Sequence, residues 1–185
     1  MNDALIMEFK DRWTALGGLC YITERGDNLG EVFGQAVTEL VGGHGSGRVV
    51  TALYWTNPGL DLAKWTDPLD FVKFVLWDGT SDMRDTAATA DVGITGCAWA
   101  VAATGSVALY HTPTAGLLPS VLPPAHLVLI KREDIVATVA DGLARVKENL
   151  PPLMKIITGP SMTADIEGTL VVGVHGPGQV AALIY

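Results

Sequence analysis

The sequence predicts an α/β fold: a mostly parallel sheet flanked by helices, with an antiparallel hairpin excursion near residues 92–111. Short apolar runs rich in β-branched residues recur along the chain, amphipathic segments of helical period fall between them, and the connections are short. That is the pattern of strand–helix–strand units. A length of 185 residues with 49% hydrophobic and 17% charged side chains fits one compact domain, residues 1–185, with a core covered on both sides of the sheet.

Leu5, Phe9, Trp13 and Leu16 fall at helical spacing, so residues 3–16 read as an amphipathic helix stopped by Gly17-Gly18. Leu19–Thr23 reads as a strand. Residues 28–41 read as a second helix, with Leu29, Phe33, Val37 and Leu40 on its apolar face. A short buried strand at Arg48–Leu53 leads to a long loop over Thr56–Asp70, punctuated by Asn-Pro-Gly and Asp-Pro. Thr104-Gly105-Ser106 between two apolar stretches predicts a hairpin turn. Residues 117–124 form an irregular, proline-marked connection, and Leu127–Ile130 reads as a central strand. Glu133–Leu150 reads as an amphipathic helix with acids in its first turn, and Lys155–Thr158 as a buried strand. A short helix from Thr163 and a last strand over Gln179–Tyr185 complete the chain.

Composition excludes several functions. The net charge is −8, and no Lys/Arg cluster occurs anywhere, which argues against nucleic acid and against an anionic membrane surface. No apolar run approaches the ~20 residues of a bilayer-spanning helix. The first ten residues lack a secretory signal's basic start, so a cytoplasmic location is expected. Cys20 and Cys97 are too few and too isolated for an iron–sulfur cluster or zinc site, and His44, His111, His126 and His175 lack a metal-ligand spacing. No metal or cofactor is expected.

Ligands of open α/β sheets bind beyond the carboxyl ends of the strands, where loop amides and helix N-termini converge. Thr158-Gly159-Pro160-Ser161-Met162-Thr163-Ala164-Asp165-Ile166-Glu167 meets that criterion: it leaves a strand, turns, and is expected to open a helix. Ser161 and Thr163 then serve either an anionic ligand or the cap of that helix. Gly42–Arg48 resembles a phosphate loop in composition only, because it follows a helix and precedes a strand; it is read as a turn. Val174-His175-Gly176-Pro177-Gly178 precedes the last strand and either presents His175 to a cleft or forms a water-facing turn. His126 opens an apolar strand and is read first as a core histidine. Asp91, Thr95, Thr104 and Ser106 border the hairpin and are candidates to line the same cleft, with Asp91 alternatively holding its own turn. No serine or cysteine has an activating setting, and whether the chain catalyses a reaction is left open.

Taken together, Asp91-Val92-Gly93-Ile94-Thr95, Ala102-Ala103-Thr104-Gly105-Ser106, Leu122-Pro123-Pro124-Ala125-His126, the Thr158–Glu167 string and Gly173-Val174-His175-Gly176-Pro177 resemble the lactate-utilisation (LUD) domain family, in particular its protein C subgroup. The resemblance implies a fold like that of the NagB/ribose-phosphate isomerase/CoA-transferase group. It also implies participation in oxidising L-lactate to pyruvate beside iron–sulfur partner proteins, with a small anion as ligand. Its motif residues become a candidate site. Thr95, Thr104, Gly105, Ser106, Gly159, Pro160, Ser161, Thr163 and Gly176 are expected to bind the ligand, and Asp165, Glu167 and His175 are the candidate catalytic groups. The chain departs from the family pattern at Ala103, where an acid is usual, and at Leu117 and Met162, where arginines are; losing two guanidinium groups weakens a carboxylate or phosphate clamp. Two other readings follow: a stand-alone enzyme on a sugar-phosphate or CoA-type ligand, by analogy of fold, and a non-catalytic regulatory relative.

Overall fold

The computed structural model describes residues 3–24, 29–42, 50–54, 69, 71–77, 83–111, 117–164 and 170–185. Helix α1 spans Asp3–Ala15 and buries Ile6, Phe9 and Trp13, the stripe its spacing predicts. Strand β1 (Leu19–Ile22) follows, tied back to α1 by Trp13 Nε1, which donates to Leu19 O at 2.9 Å. Helix α2 (Leu29–Leu40) ends at Gly42, whose φ of +78° marks a left-handed C-terminal stop. The rest of the glycine-rich loop after it and nearly all of the Thr56–Asp70 loop lie outside the described residues.

Strands β2 (Val50–Tyr54), β3 (Val72–Leu76), β4 (Val92–Gly96), β7 (Ala125–Ile130) and β12 (Gln179–Ile184) join β1 in a six-stranded sheet. Its order is β1-β12-β7-β4-β2-β3, and every pairing is parallel. Strand β3 and the short helix α3 (Arg84–Thr89) are not among the elements read from the sequence, although Val72-Lys73-Phe74-Val75-Leu76 is a β-prone run. The hairpin of β5 (Trp99–Val101) and β6 (Ser106–Tyr110) turns at Gly105, as Thr-Gly-Ser predicts, and is antiparallel. Antiparallel pairing begins after β4, which itself belongs to the parallel sheet. The hairpin builds a second, four-stranded sheet of order β8-β5-β6-β9, with β8 at Ile135–Val136 and β9 at Met154–Ile157.

Two expected helices are corrected. Glu133–Leu150 is not continuous: Arg132–Asp134 is a 3-10 turn, and Ile135 and Val136 pair in parallel with Ala100 and Val101. Helix α4 (Val139–Ala144) starts only at a capping box, in which Asp141 N donates to Thr138 Oγ1 and Thr138 N donates to Asp141 Oδ2. Two β-branched residues gain more from the sheet than from a helix face. The helix expected from Thr163 is instead strand β10 (Met162–Ala164), paired antiparallel with β11 (Leu170–Val172). The run Leu170-Val171-Val172 supplies a β-prone partner close by, and the pairing overrides the helical reading.

The layers follow from strand alternation. Ala125, Leu127, Leu129, Ala181 and Leu183 share one cluster with Phe33, Ala36, Val37 and Leu40 of α2. Val128, Ile130, Val180, Ala182 and Ile184 point the other way, into a cluster with α1 and with Ala100, Val107 and Leu109 of the second sheet. Trp99, Val101 and Ala108 on the far face of that sheet pack beneath Val139 of α4. No helix among the described residues is long and apolar enough to cross a membrane.

Candidate functional site

A cavity of about 240 Å³ opens where the two sheets part. One wall is β9 and its continuation, Lys155 to Ser161; the other is the turn His175–Pro177; Ser120, His126 and Val180 close the remainder. His126 and Val180 are the second residues of β7 and β12, so the cavity sits at the amino ends of the central parallel strands. The expectation of a site beyond their carboxyl ends is thereby corrected. The carboxyl end that contributes is that of β9, in the other sheet.

Two turns distant in sequence meet here. Ser161 N donates to Pro177 O at 2.8 Å, and Gly173 N donates to Ser161 O at 2.8 Å. A Cβ on Gly176 would lie 3.2 Å from Ser161 Cβ, which shows how closely the turns pack. Gly159 has φ +83°, and a Cβ there would come within 2.9 Å of Leu16 Cβ at the end of α1, so only glycine makes this turn without strain. Gly178 N donates to Pro124 O at 3.0 Å and ties the second turn to the start of β7.

The cation of the cavity is Lys155. Its Nζ donates to Ser120 O at 2.9 Å and lies 3.3 Å from Ser120 Oγ, which itself donates to Leu117 O at 2.7 Å. Partial burial pulls the Lys155 amine down to about 8, so it is still largely charged at neutral pH. Facing it is His126, fully buried. Its Nε2 is hydrogen-bonded to Thr95 Oγ1 at 2.8 Å, while Nδ1 has no partner. Burial first, and the positive charge of Lys155 second, hold the ring neutral by lowering its pKa to about 3. A run of hydroxyls approaches from the hairpin: Thr104 Oγ1 to Ser106 Oγ at 2.7 Å, and Ser106 Oγ to Thr158 Oγ1 at 2.8 Å, with Thr158 on the cavity wall.

Of the residues singled out by sequence, Gly159, Pro160, Ser161, His175 and Gly176 line this cavity. Thr95 reaches it through His126, and Thr104 and Ser106 through Thr158. Gly105 does not: it turns the hairpin against α1, where a Cβ would lie 2.6 Å from Trp13 N. Thr163 sits in β10, away from the cavity, so Ser161 and Thr163 cap no helix. Asp91 is also elsewhere, where its carboxylate accepts from Thr51 N at 2.8 Å beside a second, more open cavity of about 350 Å³ near the end of α2. Asp165 and Glu167 lie outside the described residues. Leu117 is packed against the core and Met162 is exposed. Sequence reasoning missed Lys155 and Ser120, and gave Thr158, the first residue of its motif string, no ligand role. The available signal was a lone lysine within the apolar strand Met154-Lys155-Ile156-Ile157. Cys20 and Cys97 are poor nucleophiles, because burial raises both thiols, Cys20 to about 11.

Over residues 6–185 the chain matches the sequence model of the LUD domain. It belongs to the LUD-domain family. Among LUD-domain relatives, lactate utilization protein C of Geobacillus sp. (strain WCH70) is 32% identical over 81% of this chain and 67% of its own length. Lactate utilization protein C of Halalkalibacterium halodurans is 32% identical over 77% of this chain and 64% of its own. The chain thus spans about two thirds of the length of these curated relatives. A crystal structure of a DUF162 family protein from Deinococcus radiodurans superposes with a TM-score of 0.65, covering 100% of this chain and 98% of that one at 22% identity, a likeness of fold.

Proposed function

We propose that this LUD-domain chain serves an L-lactate oxidation system as the component that binds a small organic anion, acting beside iron–sulfur partner proteins. The observation that carries the ligand reading is a charged, half-buried Lys155 in a cavity walled by the turns Thr158–Ser161 and His175–Pro177. A lysine ammonium has three hydrogens, and Ser120 O and Oγ take two of them, which leaves one for an anion in the cavity. No arginine is among the lining residues, and Lys155 supplies the charge that the family pattern would place at positions 117 and 162. At about 240 Å³ the cavity is smaller than the ~300–1,000 Å³ of sites for drug-sized ligands. That size favours an acid of a few carbons over a CoA-type ligand. The lactate context rests on the names of the relatives, and the iron–sulfur partners on the family resemblance.

Calorimetric titration with L-lactate, pyruvate and inorganic phosphate tests the ligand reading. At least one of these anions is expected to bind, with affinity about tenfold or more weaker in Lys155→Met, as loss of a charge-assisted hydrogen bond implies. No binding by any of the three overturns it. Affinity purification from the native host tests the partner reading, which falls if no cysteine-rich iron–sulfur protein is recovered.

A further inference from the structure

We propose that Lys155 is a covalent capture site for short-chain aldehydes, its amine adding to the carbonyl carbon within the cavity to form an imine. The inference goes beyond the anion reading, because it uses the same nitrogen without its extra proton. Ser120 Oγ gives its own hydrogen to Leu117 O at 2.7 Å, so toward Lys155 Nζ it acts as an acceptor, as does Ser120 O. A neutral amine has two hydrogens, and these two oxygens take both. The side-chain stem fills a third tetrahedral direction, which leaves the fourth, the lone pair, for the cavity that Lys155 lines. None of the described residues lining that cavity is acidic, so no carboxylate among them holds the proton on the nitrogen. Partial burial lowers the amine to about 8, and about a tenth of it is therefore neutral at pH 7.

An unprotonated amine held in place beside an apolar wall is the arrangement that makes lysine a nucleophile toward carbonyl compounds. Ile157, Pro160 and Val180 supply that wall, and a volume of about 240 Å³ admits a molecule of a few carbons. In the first step the lone pair forms the C–N bond, and the carbonyl oxygen becomes a hydroxyl. In the second, C=N forms as that oxygen leaves in one molecule of water with both amine hydrogens. Nothing is oxidised or reduced. Thr158 and Ser161 bring hydroxyls to the same wall, the kind of donor that a departing oxygen needs. Without its proton Lys155 no longer attracts a carboxylate, and the described lining residues include no second lysine or arginine. The ligand that suits this state is therefore uncharged, an aldehyde rather than an oxo acid.

The test uses the wild-type chain, so it does not depend on a variant folding. The protein at pH 7 is given a limiting amount of acetaldehyde with sodium cyanoborohydride, which reduces an imine to a stable N-ethyl group, and the ethylated lysines are located by peptide mass mapping. Lys155 is expected to carry at least about tenfold more ethyl than the exposed Lys73 and Lys147, and to lose that lead in urea, where the environment that lowers its pKa is gone. Glyoxylate, an aldehyde that bears a carboxylate, is expected to show a smaller lead of Lys155 over Lys73. Labelling of Lys155 no greater than that of Lys73 in the folded chain, or a lead that persists in urea, overturns the capture site. A lead as large with glyoxylate as with acetaldehyde overturns the restriction to uncharged carbonyls. Neither result touches the anion reading, which stands or falls by calorimetry.

Discussion

Strands β7 and β12 are each built twice, once per face, and the two faces differ in one respect that matters. Toward α2 every inward residue is aliphatic: Ala125, Leu127 and Leu129, then Ala181 and Leu183, closed against Phe33 and Val37. Toward the second sheet the alternate residues begin with His126 and Val180 and continue as Val128, Ile130, Ala182 and Ile184. The first face is filled along its length. The second is filled except at its amino end, where a polar ring and a cavity replace hydrocarbon. A fully buried histidine with an unfilled nitrogen is costly in a packed core, and this one stands at the edge of the cavity.

The largest effect expected from this difference is in acid. The folded-state pKa of His126 is about 3, below the ordinary 6.5, so in the window between them the unfolded chain binds the proton and the folded chain does not. Stability therefore rises with pH there and falls as pH drops from about 6.5 toward 3. For a fully buried ring the loss is on the order of several kcal/mol. Urea unfolding of wild type and His126→Gln across this range measures it. The gap between the two curves should narrow with acid, and parallel curves would show that the open face carries no such sensitivity. Next in size is Leu127→Ala on the closed face, with an expected loss of ~2–5 kcal/mol and no change in anion affinity for the folded fraction. A change in affinity would show that the two faces are coupled.

Gly93 tests the boundary between cavity and core. It lies opposite His126 in the sheet, and a Cβ there would meet Pro119 O at 1.6 Å. Gly93→Ala must push back the Pro119–Ser120 segment, at ~1–3 kcal/mol, and Ser120 is what holds Lys155. Unlike Leu127→Ala, it is expected to weaken anion binding as well as folding, read by calorimetry and urea unfolding on one sample. The charge of Lys155 provides a smaller, graded effect. Its amine titrates at about 8, so affinity for lactate should fall above that pH, by up to about tenfold per unit. An affinity flat to the onset of alkaline unfolding would remove Lys155 from the site.

How much of this was legible in the sequence follows the same division. Helices α1 and α2 and strands β7 and β12 are set by periodicity and by unbroken apolar runs, which describe filled faces well. The meeting of Ser161 with Gly176 was legible because each turn carries residues that a backbone needs for close approach. What stayed hidden depended on pairing between separate segments. Ile135-Val136 looks like one turn of a helix until Ala100-Val101 offers it a strand, and Met162–Ala164 looks like a helix start until Leu170–Val172 lies alongside. Lys155 was hidden for the same reason, since only the second sheet brings it opposite His126.

The smallest effect concerns the hydroxyl run, which either belongs to the cavity or merely borders it. Ser106 is buried and its Oγ bonds both Thr104 and Thr158, whereas Thr104 is exposed. In Thr104→Val the Ser106 hydroxyl keeps Thr158 as a partner, so no buried group is left unpaired, and the loss should stay within ~1 kcal/mol. Anion affinity should change by less than about twofold, because none of the remaining donors has moved. If calorimetry instead shows a loss comparable with that of Lys155→Met, Thr104 is setting the direction in which Thr158 presents its hydrogen. The polar region of the open face would then run from the hairpin turn to the cavity as one network rather than ending at the cavity wall.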